Sequence, residues 1–185
     1  MKSVYYKPIE KYLLENINKK SDLRVLEIGC GSKIYKKLFN KHHYFGLDIP
    51  ESKWTNNLDK PEIESKLSDY NNFENFDLIF SVASIYLLDP EAFKILIKLI
   101  YNLKKTKGKI LIFDYKKQTI DKLNNNTNNI YFRSKINYEN ELKENFKESL
   151  KIIDNEWCSN NIFKKKIKEK FKVNKSHILE IFFNN

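Results

Sequence analysis

The sequence predicts one doubly wound α/β domain over residues 1–185, built on a mostly parallel sheet of seven strands. Three observations carry this prediction. The runs 24–28, 76–81 and 110–113 are mainly apolar rather than alternating, the pattern of strands buried on both faces. Segments with apolar residues at helical spacing separate them, as crossovers between parallel strands require. A pair of glycines, Gly29 and Gly31, follows the first strand at once, and an acid, Asp48, ends the second. At 185 residues with 41% hydrophobic content, the chain is long enough for one sizeable core and short for two.

The elements follow in order. Pro8 starts a first helix over 8–19, with Ile9, Tyr12, Leu13 and Ile17 on one stripe. Residues 24–28 form the first strand and run into Gly29-Cys30-Gly31. Ile34, Leu38 and Phe39 indicate a helix after that loop, and 44–49 the second strand. Residues 50–58 suit a short helix and 62–69 an extended segment, with the next strand at 76–81. Pro90 and Glu91 open a helix whose stripe is Phe93, Leu96, Ile97, Ile100 and Leu103. Gly108 turns the chain into a strand over 110–113 that stops at Asp114. Beyond an Asn-rich loop at 124–129, the pattern reads helix 138–146, strand 150–156, helix 163–171 and final strand 178–183.

Composition removes several classes. Only four glycines are present, so collagenous and flexible-linker readings fail. Cys30 and Cys158 stand far apart, which suggests neither a disulfide framework nor a metal site. The longest apolar run, 78–88, is too short to span a bilayer, and no charged-then-apolar leader opens the chain, so a cytoplasmic protein with no membrane partner is expected. The net charge of +10 points less clearly to nucleic acid than it first suggests. Of the 34 basic residues, only Arg24 and Arg133 carry the planar guanidinium suited to bidentate readout. Lys, Asn and Ile are abundant together, as the codon bias of an AT-rich genome would dictate. The densest basic stretch, 164–175, reads as the wet face of an amphipathic helix, and a nucleic-acid partner is disfavoured.

The chemistry concentrates at Glu27-Ile28-Gly29-Cys30-Gly31 and Asp48. Glycines between a strand and the next helix let a ligand approach the backbone closely. An acid at the end of the second strand, 19 residues after Gly29, is placed to accept hydrogen bonds from ribose hydroxyls. A pyrophosphate loop would need a small residue where Ile34 stands, so the pattern describes a nucleoside site rather than a dinucleotide site. Together with Gly46-Leu47-Asp48-Ile49, Phe76-Asp77-Leu78-Ile79 and the 103–108 turn, these motifs resemble the class I S-adenosylmethionine-dependent methyltransferases across residues 20–115.

The resemblance implies the Rossmann-like methyltransferase fold, its last strand antiparallel. It implies a cofactor-binding core over 20–115 and a C-terminal part, 116–185, that supplies substrate-side loops. Glu27, Gly29, Cys30 and Gly31 would line the methionine moiety of S-adenosylmethionine. Asp48 would hold the ribose, and Ile49 would pack on adenine. Asp69, with Tyr70 beside it, would contact the adenine amino group, Asp59 being its rival. Ser81 and Val82 would lie near the reactive end. Departures from the family pattern are Lys33 in place of a third glycine and the absence of a histidine after the fourth strand. No Asn/Asp-Pro-Pro-Tyr is present, which disfavours methylation of nucleic-acid amino groups. Candidate catalytic residues are His177, Tyr86 and Asp114, while Tyr115 and Trp157 also fall at ligand-side strand ends. Tyr5 and Tyr6 either close over the cofactor or pack the first helix. No metal is expected. The implied activity is methyl transfer to an oxygen or nitrogen of a small polar acceptor such as a sugar, glycan precursor or other metabolite. The alternatives are an RNA or protein methyltransferase, or a cofactor-binding subunit without its own activity.

Overall fold

The computed structural model describes residues 6–17, 20–50, 52, 59–72, 75–115, 131, 133–146, 150–157 and 176–183, with backbone alone at 6–8, 115, 143–146, 150, 154–157 and 176–177. Helix α1 (Tyr6–Ile17) precedes β1 (Arg24–Ile28) and β2 (His43–Asp48). A two-residue strand β3 (Ile63–Glu64), then β4 (Leu78–Val82), α2 (Pro90–Thr106) and β5 (Lys109–Tyr115) complete the first part. Helix α3 (Lys135–Phe146), β6 (Leu150–Trp157) and β7 (Ser176–Phe183) follow. The strands form one seven-stranded sheet in the order β3-β2-β1-β4-β5-β7-β6. Neighbours from β3 to β5 pair in parallel, and β7 inserts antiparallel between β5 and β6. The predicted architecture therefore holds, including the antiparallel last strand.

The apolar strands bury both faces, as their runs predict. On one face Val25, Leu78, Phe80, Leu111 and Phe113 pack under Ile9, Leu13 and Ile17 of α1, together with Tyr35 and Phe39. On the other, Leu26, Ile28, Ile79, Ile110 and Ile112 meet Leu96, Ile100 and Leu103 of α2 and Tyr138 and Leu142 of α3. Asp89 caps α2 by accepting from the Ala92 amide at 2.7 Å, with Pro90 in the first turn. Lys107 ends the helix in the left-handed conformation, φ 52°, and Gly108 follows with no room for a β-carbon beside Leu103, Asp77 and Thr106.

Two segments differ from prediction. The segment after the glycine loop is a single 3₁₀ turn, Lys36–Phe39, not an α-helix. Tyr35 and Phe39 are already buried, and β2 begins at His43, so the chain has only a few residues in which to cross the sheet. The extended segment expected at 62–69 resolves into β3 and a 3₁₀ turn, Leu67–Asp69. Most of the 50–58 helix, the 124–129 loop and the 163–171 helix lie outside the described residues. Among the described residues no helix is long and apolar enough to cross a membrane.

Candidate active site

The strand order fixes where a ligand can lie. The chain moves outward from β1 to β2 and β3, then returns to place β4 on the other side of β1. The reversal leaves a crevice beyond the carboxyl ends of β1 and β4, the usual ligand position in open α/β sheets. Residues 29–34, 48–49, 83–88 and 114 all sit at these ends. Five large apolar side chains are exposed among the described residues, and Ile34, Ile49 and Leu87 are three of them. A fourth, Ile136, lies in the first turn of α3.

The glycine loop is tied down from three sides. Gly29 and Cys30 donate to the Leu47 carbonyl at 2.8 and 3.2 Å. The Gly31 amide donates to Asp48 Oδ2 at 2.7 Å, and the Ile49 amide to Oδ1 at 2.8 Å. Gly29 and Gly31 take φ of 70° and 49°, which favour glycine. At Gly29 the missing side chain has a second use, because a β-carbon would overlap Ser84 Oγ and Cβ. Ser84 reaches this position because Ala83 is also left-handed, φ 53°, and its hydroxyl donates to the Gly29 carbonyl at 3.3 Å.

Lys33 also takes the left-handed conformation, φ 49°, that a glycine at its position would adopt. Its side chain is 2% exposed, and its ammonium is drawn out of the loop toward the segment before β3. There it pairs with Asp59 and with Glu62 at 3.1 Å, and donates to the Lys60 carbonyl. Lys36 joins Glu62 at 2.8 Å, and the other Glu62 oxygen accepts from the Gly46 amide at 2.8 Å. Burial pulls the Lys33 ammonium down, but its hydrogen bonds to Asp59 and Glu62 outweigh this and raise it. Burial pushes Glu62 up, and its bonds to Lys36, Gly46 and Lys33 prevail, holding it below its ordinary value. This cluster escaped sequence reasoning. A lysine in place of a glycine beside two acids before the third strand was the available signal.

Glu27 is the most perturbed acid. It is 2% exposed on the α1 face of β1, in register with Gly46, and accepts a short hydrogen bond from Tyr44. Burial pushes its carboxyl up to about 8; the Tyr44 bond opposes this, while the charges of Asp48 and Glu62 add to it. Cys30 is buried, and burial first and the neighbouring acids second push its thiol up, which leaves it unreactive.

The remaining predicted residues divide. Asp48 is half-buried and Ile49 exposed, both at the mouth of the crevice, and Val82 is partly exposed. Asp69 is exposed at the end of its 3₁₀ turn and bonded to Ser68. Asp59, its rival, is engaged by Lys33. Tyr70 turns inward, into the core with Leu67 and Phe76, where burial raises its hydroxyl and Arg24 opposes the shift. Ser81 is fully buried and donates to the Ile28 carbonyl at 2.9 Å, binding β4 to β1. Asp114 is buried at the end of β5 and accepts from the Tyr86 amide at 2.9 Å. His177 is placed opposite Asp114 in the β5–β7 register, its backbone alone described, as for Tyr6, Tyr115 and Trp157. Tyr5 and the 164–175 lysine run lie outside the described residues. Among the described residues no group of three or more His, Cys, Asp and Glu is arranged to hold a metal ion.

No protein-family model matches the chain, and no curated protein does. Solved structures do. A methyltransferase dependent on S-adenosylmethionine from Archaeoglobus fulgidus is 19% identical with a TM-score of 0.63, over 96% of this chain and 94% of that one. The N-methyltransferase NodS from Bradyrhizobium japonicum is 16% identical with a TM-score of 0.59, over 97% and 96%; it has also been solved with S-adenosylhomocysteine. Magnesium protoporphyrin IX methyltransferase from Synechocystis, with S-adenosylhomocysteine bound, is 14% identical with a TM-score of 0.59, over 97% and 81%. With its antiparallel last strand and this near end-to-end coverage, the chain has the fold of the class I S-adenosylmethionine-dependent methyltransferases.

Proposed function

We propose that the chain is a methyltransferase that transfers a methyl group from S-adenosylmethionine to an oxygen or nitrogen of a small polar acceptor. The observation that carries this reading is the Asp48 carboxylate clipped to the Gly31 amide at the β1–β4 switch point. Each Asp48 oxygen takes one backbone N–H and keeps a lone pair for one of two ribose hydroxyls. Ile49 offers an exposed apolar surface for adenine beside it. Asp69 remains exposed for the adenine amino group, whereas Asp59 is held by Lys33. Glu27, Gly29 and Gly31 then border the methionine end.

When bound, S-adenosylmethionine supplies a methyl group already activated toward displacement, so the chain's task is chiefly to position. Tyr86 after β4 and Asp114 near the end of β5 lie at the same end of the sheet as the glycine loop. Asp114, oriented by the Tyr86 amide, is placed to accept a proton or a hydrogen bond from an acceptor hydroxyl, and a neutral amine would need only orientation. Calorimetry with S-adenosylhomocysteine, ATP and NAD tests the reading. Binding of S-adenosylhomocysteine at micromolar concentration, with ATP and NAD at least tenfold weaker, is expected. Equal affinity for all three would refute it.

A further inference from the structure

We infer that the acceptor carries an acidic group, a carboxylate or a phosphate, and that Arg133 holds it beside the ends of β4 and β5. This rests on the methyltransferase reading above and names its substrate class. The chain writes nearly every basic position as lysine, and each of its two arginines lies over a pair of aromatic rings. Arg24 lies over Phe45 and Phe76, at 5.1 and 6.0 Å from the ring centres, and Arg133 over Phe93 and Tyr131, at 4.5 and 5.0 Å. Arg24 opens β1, at the end of the sheet away from the crevice. Arg133 is at the crevice itself. It donates to the Leu88 carbonyl at 2.9 Å, the Tyr131 amide donates to the Tyr86 carbonyl at 2.7 Å, and the Tyr86 amide donates to Asp114.

The guanidinium is half-buried, yet among the described residues it forms no ion pair, and its other donors have no partner. Burial depresses its affinity for the proton, and the charges of Asp114 and Asp89 oppose this from beyond ion-pair distance, so its remaining donors are left for a ligand. The guanidinium donors left over are matched by an oxyanion, which the planar fork of arginine takes with two parallel bonds. An acceptor anchored in this way would present its hydroxyl or amine toward Asp114.

The chain's two arginines make the test direct, since their side-chain Nε–H groups give two resonances in a ¹H–¹⁵N spectrum. The S-adenosylhomocysteine-loaded chain is titrated with inorganic phosphate and, separately, with acetate; the same titrations without S-adenosylhomocysteine read the anion site independently of the nucleoside site. A saturable shift of the Arg133 resonance alone is expected, the stronger of the two anions naming the source. Arg133→Lys should weaken binding at least tenfold, with S-adenosylhomocysteine affinity unchanged. No saturable shift with either anion, or equal binding by Arg133→Lys, overturns the inference. Failure of S-adenosylhomocysteine to bind overturns the methyltransferase reading instead.

Discussion

Glu27 makes the folded chain a weak acid at the cofactor loop, and its substitution to glutamine should reverse part of the protein's response to pH. The carboxyl rises from 4.5 to about 8 because burial strips it of water, and the hydrogen bond from Tyr44 does not offset that. The folded state therefore binds this proton more tightly than the unfolded state. The contribution of Glu27 to stability is complete below about pH 4.5, declines as pH rises, and is lost above about pH 8. A rise of this size corresponds to about 5 kcal/mol in all, at about 1.4 kcal/mol per pH unit. For a chain of this length, each kcal/mol moves Tm by about 2–4 °C. Glu27→Gln keeps an oxygen for the Tyr44 hydroxyl and cannot titrate. Thermal melts of both proteins between pH 5 and 9 should give a difference in Tm that grows in favour of the variant by about 10 °C. Other titrating groups act equally in both proteins and cancel. Parallel curves would refute the argument.

The same proton reports on the ligand. At pH 7 a carboxyl titrating near 8 is mostly protonated, and a ligand bringing an ammonium group beside it favours the ionised form. Binding of S-adenosylhomocysteine at pH 7 should release close to one proton, measured by calorimetry in buffers of different ionisation enthalpy. Its affinity should rise with pH up to about 8. Glu27→Gln should abolish the release. Tight binding with no proton released would separate Glu27 from the methionine end of the site.

Asp48→Asn should weaken S-adenosylhomocysteine by about 10- to 100-fold in calorimetry, since charged hydrogen bonds contribute about 1.5–3 kcal/mol. Gly29→Ala should lower stability by more than the about 1–2 kcal/mol of a left-handed alanine, because its β-carbon meets Ser84. Urea denaturation of Gly29→Ala combined with Ser84→Gly should recover the steric part and leave the conformational part. Lys33→Gly should be more stable than Lys33→Met by about 1 kcal/mol, because both lose the pairing with Asp59 and Glu62 and only glycine relieves the left-handed backbone. A methionine variant as stable as the glycine variant would show that the φ of Lys33 carries no strain.

The sheet was legible because its strands are apolar runs and its turns carry their own chemistry. Asp89-Pro90 starts α2 and Gly108 admits the chain to β5, features set by local sterics and read from neighbouring residues. The nucleoside loop was legible for the same reason, as Gly29, Gly31 and Asp48 form a short pattern with a fixed spacing. What escaped depended on distance in the chain. Ser84 meets Gly29 across 55 residues, and Lys33 meets Glu62 across 29. Neither contact leaves a periodic signal. Tyr70 and Ser81 were placed by their nearness to a strand end, but side chains alternate across a strand and turn with the chain after it. Ser81 therefore lies inside the sheet contacts and Tyr70 inside the core.

These long-range contacts tie the glycine loop to three parts of the sheet. Residues 29–33 are held by β2 through Asp48 and Leu47, by β4 through Ser84, and by the approach to β3 through Lys33. Each tie ends on a different strand, so no single rotation of the loop can break one and preserve the others. The left-handed residues Gly29, Gly31, Lys33 and Ala83 are the cost of that arrangement, and two of them are not glycine. Strain of this kind persists only where the surrounding contacts over-determine the backbone. Here they do so where the sheet reverses its order between β1 and β4. A loop fixed in advance spares the ligand the entropy of ordering it, and rigid orientation is what displacement at an already activated methyl group chiefly requires. The lysine that looked like a defect in a glycine motif is thus one of the anchors that position the loop.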